Sequence, residues 1–271
     1  MTPADLTRTV LHTVRRAVEA AELPDAVPTR VTVRVPPRPG CGDYATNVAL
    51  RLARETGRPA REIAEVLGRR LAREPGIARV EIADPGFLNI TLDGGSHTEL
   101  VGELLRSGAN SEPLGLRPPA ALTARLGADA ARWSLTCPPG TDRAGLLVQR
   151  ESNPLFRVRY AHARTRALLR NAADLGFAPE PGPYGEDEST LLGTLADHER
   201  VTAARAPERL ARHLERVADA YLRWQAECPV LPRGDEKPSA VHRARLALAE
   251  ATGTVLADGL HQLGITAPAH L

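Results

Sequence analysis

The chain has 271 residues, 42% of them hydrophobic, enough to bury the core of one large domain or two ordinary ones. Its formal net charge of +2 excludes a globally basic nucleic-acid binder and leaves room only for a local basic site. Lys237 is the only lysine, so arginine supplies nearly all the positive charge. Genomic base composition accounts for that bias, and a planar guanidinium also suits phosphate and base contacts.

In chain order, residues 4–22 carry Leu6, Val10, Leu11, Val14 and Val18 at helical spacing and predict a helix. "TRVTVRV" alternates as a strand does, and "PPRPGCG" reads as a loop. Residues 46–55 and 59–73 read as helices, the second started by Pro59. "ARVEIA" and "FLNITL" predict two short strands separated by Pro85 and Gly86, and 96–106 another helix. "SGANSEPLGLRPP" breaks the pattern. Beyond it the predicted helices are 127–135, 154–175, 187–204, 207–226 and 238–263. The expected fold class is α+β: a small α/β domain over 1–109, a linker at 110–119, and an all-α bundle over 120–271.

Cys41, Cys137 and Cys228 are too widely spaced for a metal-ligand pattern or a disulfide framework. No apolar run approaches the ~18–20 residues that span a bilayer, and the N-terminal stretch has no secretory apolar region. The expectation is a cytoplasmic protein with no membrane partner.

Two stretches carry candidate chemistry. In "DPGFLNITL", Phe87 and Asn89 are two apart on a strand and so share a face. A ring that stacks on a base beside an amide that pairs with its edge makes a compact base reader; a core Phe with a strand-end Asn is the structural alternative. In "ESNPLFRVRYAHARTRALLR", Asn153 precedes Pro154 as a helix start. Arg157, Tyr160 and Arg164 then share one helical face, and Arg159, Arg166 and Arg170 roughly the opposite one. Arginines around a tyrosine suit a phosphate track with one stacked base; a solvated helix is the alternative. His162 has no acid nearby in sequence and reads as a packing or hydrogen-bonding residue.

Several of these stretches resemble one family. "GDYATNVALRLARETGRPAREIAEVL" and "VEIADPGFLNITL" are similar to the N-terminal tRNA-binding domain of arginyl-tRNA synthetases. "GADAARW", "NPLFRVRYAHAR" and "RLALAEATGTVLADGLHQLGITAP" resemble the helical anticodon-binding domain of the same enzymes. That domain is named for an Asp-Ala-Leu-Arg motif, matched by Asp129-Ala130-Ala131-Arg132. The resemblance implies that Phe87 and Asn89, with Tyr44 and Asn47, meet the D-loop of a tRNA. It also implies a turn at Gly42, a loop fixed by Asp43 and Tyr44, and a backbone-pinning or D-arm role for Asn47. Arg157, Arg159, Tyr160, Arg164 and Leu271 would meet the anticodon arm. Relatives carry a tyrosine and a glutamine where Arg157 and Arg159 stand, and end in Arg-Met rather than His270-Leu271.

A class I synthetase also needs a nucleotide-binding domain of about 200 residues between these two units. No His-x-Gly-His stretch is present, one lysine cannot make a Lys-Met-Ser-Lys-Ser loop, and no phosphate loop replaces them. The expected function is therefore non-catalytic binding of a tRNA, an arginine tRNA above others, with no cofactor, metal or catalytic residue. The alternative is a protein–protein module docking on a full-length synthetase or a tRNA-dependent enzyme. Arginine–tRNA ligation is the weakest of the three readings.

Overall fold

A computed structural model of the chain describes residues 1–36, 41–108, 110–141 and 143–271. It divides into two compact units, Met1–Leu100 and Val101–Leu271. Most of the loop expected over "PPRPGCG" lies outside the described residues.

The first unit opens with α1 (Pro3–Glu19), where the Thr2 hydroxyl accepts a hydrogen bond from the Asp5 amide and the Asp5 carboxylate accepts one from the Thr2 amide. Four antiparallel strands follow in spatial order β1-β2-β4-β3: β1 (Val33–Arg34), β2 (Tyr44–Thr46), β3 (Ile77–Ala83) and β4 (Phe87–Leu92). Helices α2 (Val48–Thr56) and α3 (Ala60–Leu71) separate β2 from β3 and pack on one face of the sheet. Leu88 and Ile90 point into that face and meet Ile63, Leu67 and Leu71 of α3 in a core closed by Leu6, Val10 and Val14 of α1. Each such buried side chain contributes about 1.5–3 kcal/mol of apolar transfer. No helix of the described residues is long and apolar enough to cross a membrane.

The expected first-unit strand is shorter than its alternation suggests, and β2 occupies the start of what reads as helix 46–55. Gly42 explains the difference. It has φ +83°, and a Cβ there would approach the Ile90 carbonyl oxygen to 2.9 Å. The chain turns against β4 at this point, so the next three residues pair with it before α2 begins.

Helix α4 (Gly94–Ser107) runs across the division between the units. In the second unit, α5 (Ala120–Leu126) and α6 (Ala128–Ser134) precede a 3₁₀ turn (Ala144–Leu147) and three long helices, α7 (Pro154–Asp174), α10 (Pro207–Glu227) and α11 (Ala240–Gln262). These three pack on one another, and α8 (Glu186–Ala196) packs on α10. Asn153 starts α7 as expected. Its Oδ1 accepts from the Phe156 amide, while its Nδ2 donates to the carbonyls of Leu146 and Val148 and ties the 3₁₀ turn to the helix. The helix expected over 187–204 is interrupted at Asp197, after which α9 (His198–Ala203) restarts it. The stretch read as a linker is not a free tether. The Ser111 amide and hydroxyl both donate to the Asp258 carboxylate, and the Leu114 amide donates to the Gln262 carbonyl, both on α11.

Candidate nucleic-acid interface

In the first unit the register sets which side chains reach the open sheet face. Asn89 is opposite Ala45 on β2 and Glu81 on β3; Phe87 is opposite Ala83; Arg34 is opposite Ala45. Leu88 and Ile90 point inward, so Phe87 and Asn89 point out, as their spacing requires. Phe87 is 39% exposed. A cleft of about 510 Å³ lies here, lined by Phe87, Asn89, Asn47, Arg34, Thr32 and Cys41 among others. Three of the four expected base-contacting residues therefore share one concavity.

Tyr44 is a correction. It is opposite Ile90, whose side chain points inward, and it is 3% exposed. It is a core residue of this unit and offers no ring to a ligand. Asn47 is the residue before α2, yet its side chain makes no capping hydrogen bond, and its Oδ1 is buried without a partner. The backbone-pinning work falls to Asp43, whose Oδ2 accepts from the Leu92 amide at 2.8 Å and whose amide donates to the Ile90 carbonyl. His97 stands 3.7 Å from the other carboxylate oxygen, and burial holds its imidazole below its ordinary value. Arg34 and Thr32 were not singled out in the sequence; the pairing of β1 with β2 brings Arg34 to the cleft.

In the second unit α7 presents its arginines unequally. Tyr160 is 38% exposed and stacks on Phe156 at 5.8 Å. Arg164 is exposed, and its Nε donates to Gln225 of α10. Arg157 and Arg159 correct the expected open phosphate track. Arg157 lies 3.8 Å from Glu215 and 3.5 Å from Asp219 of α10, and Arg159 lies 3.8 Å from Asp129 of α6. Both Nε atoms are buried. Their charge is spent within the unit. Burial, with Asp219 alongside, raises the Glu215 carboxyl, and Arg157 draws it back down.

The last residues run beside the same helix. His162 Nδ1 lies 2.8 Å from the Pro268 carbonyl, Arg170 donates to the Ala269 carbonyl, and the Thr266 amide donates to Asp129. His162 is thus a buried hydrogen-bonding residue, and its imidazole is lowered by burial. Leu271 is exposed at the end of this segment. Asp129 gathers Arg132, Arg159 and the Thr266 amide, a convergence its sequence neighbours do not announce.

The sequence of residues 8–92 matches the family model of the arginyl tRNA synthetase N-terminal domain, and residues 158–271 match that of the DALR anticodon binding domain. The chain joins these two domains. The DALR match begins at residue 158, so Asp129–Arg132, expected as the motif, lie outside it. Among solved structures, the chain is similar to a protein described as an arginyl-tRNA synthetase from Campylobacter jejuni. Identity is 21%, TM-score 0.45, and the alignment covers 56% of this chain and 35% of the other. It is also similar to the arginyl-tRNA synthetase of Thermus thermophilus, at 22% identity and TM-score 0.43, covering 81% of this chain and 40% of that one. The chain thus spans well under half the length of either synthetase. The Phe87–Asn89 cleft belongs to the synthetase N-terminal domain, and most of α7 to the DALR domain.

Proposed function

We propose that this protein binds tRNA without aminoacylating it. The N-terminal domain takes a D-loop base between Phe87 and the amides of Asn89 and Asn47, and α7 meets the anticodon arm through Tyr160 and Arg164, with Leu271 nearby. The observation that carries the reading is the exposed Phe87 in one cleft with two carboxamides and Arg34. An aromatic face open to the cleft can stack on a base, and the unpartnered Asn47 Oδ1 nearby can accept from its edge.

Two features support the non-catalytic part. Residues between the two matched domains form helices α4 to α6, the 3₁₀ turn and the start of α7, with no strand among the described ones. The sheet described is entirely antiparallel, whereas class I nucleotide sites stand at the carboxyl edge of a parallel sheet. The arginine tRNA is favoured because the N-terminal match is to the arginyl tRNA synthetase domain.

A gel-shift titration against arginine tRNA and two unrelated tRNAs, at low and moderate salt, tests this. Selective, salt-weakened binding is expected, with no arginine-dependent exchange of pyrophosphate into ATP. Equal binding of all three tRNAs would overturn the arginine assignment, and no binding at low salt would overturn the function.

A further inference from the structure

The first unit has a second cleft, of about 380 Å³, formed by α1, α3 and the segments that follow them. Its walls hold four arginines, Arg16, Arg69, Arg70 and Arg73, against two acids, Glu22 and Glu74. Arginines in the last turn of a helix ordinarily complement its dipole. That explains Arg16 and Arg70, which are also committed to carboxylates: Arg70 donates twice to Glu22 at 2.9 Å, and Arg16 lies 3.4 Å from Glu74. Arg69 shares the last turn of α3, and Arg73 lies just beyond its end, but neither is committed to a carboxylate in this way. Arg69 and Arg73 are exposed, and their side chains have no hydrogen bond or close ion pair among the described residues, although both act at longer range on the Glu22 charge. The fixed pairs neutralise one another, so the cleft keeps a surplus of two guanidinium charges.

A second observation is independent of charge. Thr13 lines the same cleft, is 1% exposed, and its hydroxyl is buried with no hydrogen-bond partner. A mid-helix threonine usually satisfies its hydroxyl on the carbonyl four residues back. An orphaned buried hydroxyl costs about as much as a lost hydrogen bond, so its place beside two uncommitted guanidiniums calls for an acceptor oxygen.

We propose that the α1/α3 cleft binds a phosphate group, with Arg69 and Arg73 pairing with its oxygens and the Thr13 hydroxyl donating to one of them. The charge surplus matches a dianionic phosphate, and guanidiniums bind phosphate in bidentate fashion. Arg70, locked by Glu22, forms a fixed, charge-paired side of the cleft. The group arrives either on a free phosphorylated small molecule or as the backbone phosphate of an RNA. The site lies apart from the Phe87 cleft: the two share no lining residue.

The test uses the full chain and two probes, inorganic pyrophosphate by calorimetry and a short single-stranded RNA by fluorescence anisotropy. Variants are Arg69→Gln/Arg73→Gln, Thr13→Val and Phe87→Ala. Thr13→Val keeps the side chain's shape and changes no charge. Pyrophosphate binding that weakens at least tenfold in the arginine double variant and severalfold in Thr13→Val, but is unchanged in Phe87→Ala, supports a free phosphate ligand. For RNA alone, the same weakening in the arginine double variant and in Thr13→Val, whatever Phe87→Ala does to base stacking, supports a backbone phosphate. Weakening in the arginine variant with no change in Thr13→Val overturns the proposal, because general electrostatics would then suffice. Insensitivity of both probes to all cleft variants, or no binding of either, also overturns it.

Discussion

Phe87 and Tyr44 stand on adjacent strands and meet opposite fates, one in solvent and one in the core. If Phe87 stacks on a base, Phe87→Ala costs about 1–3 kcal/mol of tRNA affinity, roughly five- to a hundredfold in Kd. Tyr44→Ala instead lowers the unfolding temperature by removing a buried aromatic worth about 3–5 kcal/mol. Measuring both Kd and thermal unfolding for each variant separates the roles. The deepest polar residue gives a pH prediction. His213 is fully buried, its ring nitrogens lack partners, and it stacks on His198 at 5.5 Å. Burial, with His198 and two arginines nearby, pushes its imidazole down to about 3 from 6.5. Below about pH 6.5 the unfolded chain takes up a proton that the folded chain refuses, so stability falls as pH falls. At pH 5 the loss is about 2 kcal/mol. His213→Leu should abolish that part of the acid sensitivity in melts at pH 7 and pH 5. A second, lower window belongs to Asp258. Burial alone would raise its carboxyl, but hydrogen bonds from His198 and Ser111 hold it at about 2. Its stabilisation is complete above the ordinary carboxylate value of 3.8 and is lost as pH falls towards 2.

Elements were legible where the local pattern is long and self-consistent. The alternation of "FLNITL" gives β4 its bounds and the outward direction of Phe87 and Asn89, because period-two geometry depends on nothing distant. A three-residue strand has no such period. β2 exists because Gly42 turns the chain onto β4, and which face Tyr44 takes is decided by its register with Ile90. The same holds for α7. Its length and start were readable, but the spending of Arg157 on Glu215 and Asp219, and of Arg159 on Asp129, depends on helices far along the chain. Gly42→Ala should destabilise the first unit by about 1–2 kcal/mol, since L-residues pay for positive φ and the added methyl meets the Ile90 carbonyl. Asp129→Ala frees the Thr266 amide and leaves Arg159 without its counter-charge. Faster hydrogen exchange in residues 264–271 and a loss of about 1–2 kcal/mol in unfolding free energy are expected.

For the whole molecule, near-neutral net charge makes local geometry decisive. Arginine and acid nearly balance over the sequence, so any phosphate attraction comes from guanidiniums with no carboxylate close by, such as Arg164, bonded only to the neutral Gln225, or Arg69 and Arg73 at the end of α3. Few phosphates are then neutralised. tRNA affinity should fall roughly tenfold or somewhat more between about 50 and 200 mM salt, well short of the loss shown by strongly basic binders. A log–log slope near zero would remove backbone contacts from the interface. The buried imidazole pair has a further use. Because the His213 ring keeps one protonation state across the physiological range, its proton resonances form a fixed spectroscopic marker inside the helical bundle. Their drift towards the values of a free imidazole reports opening of that interior directly, at one named site.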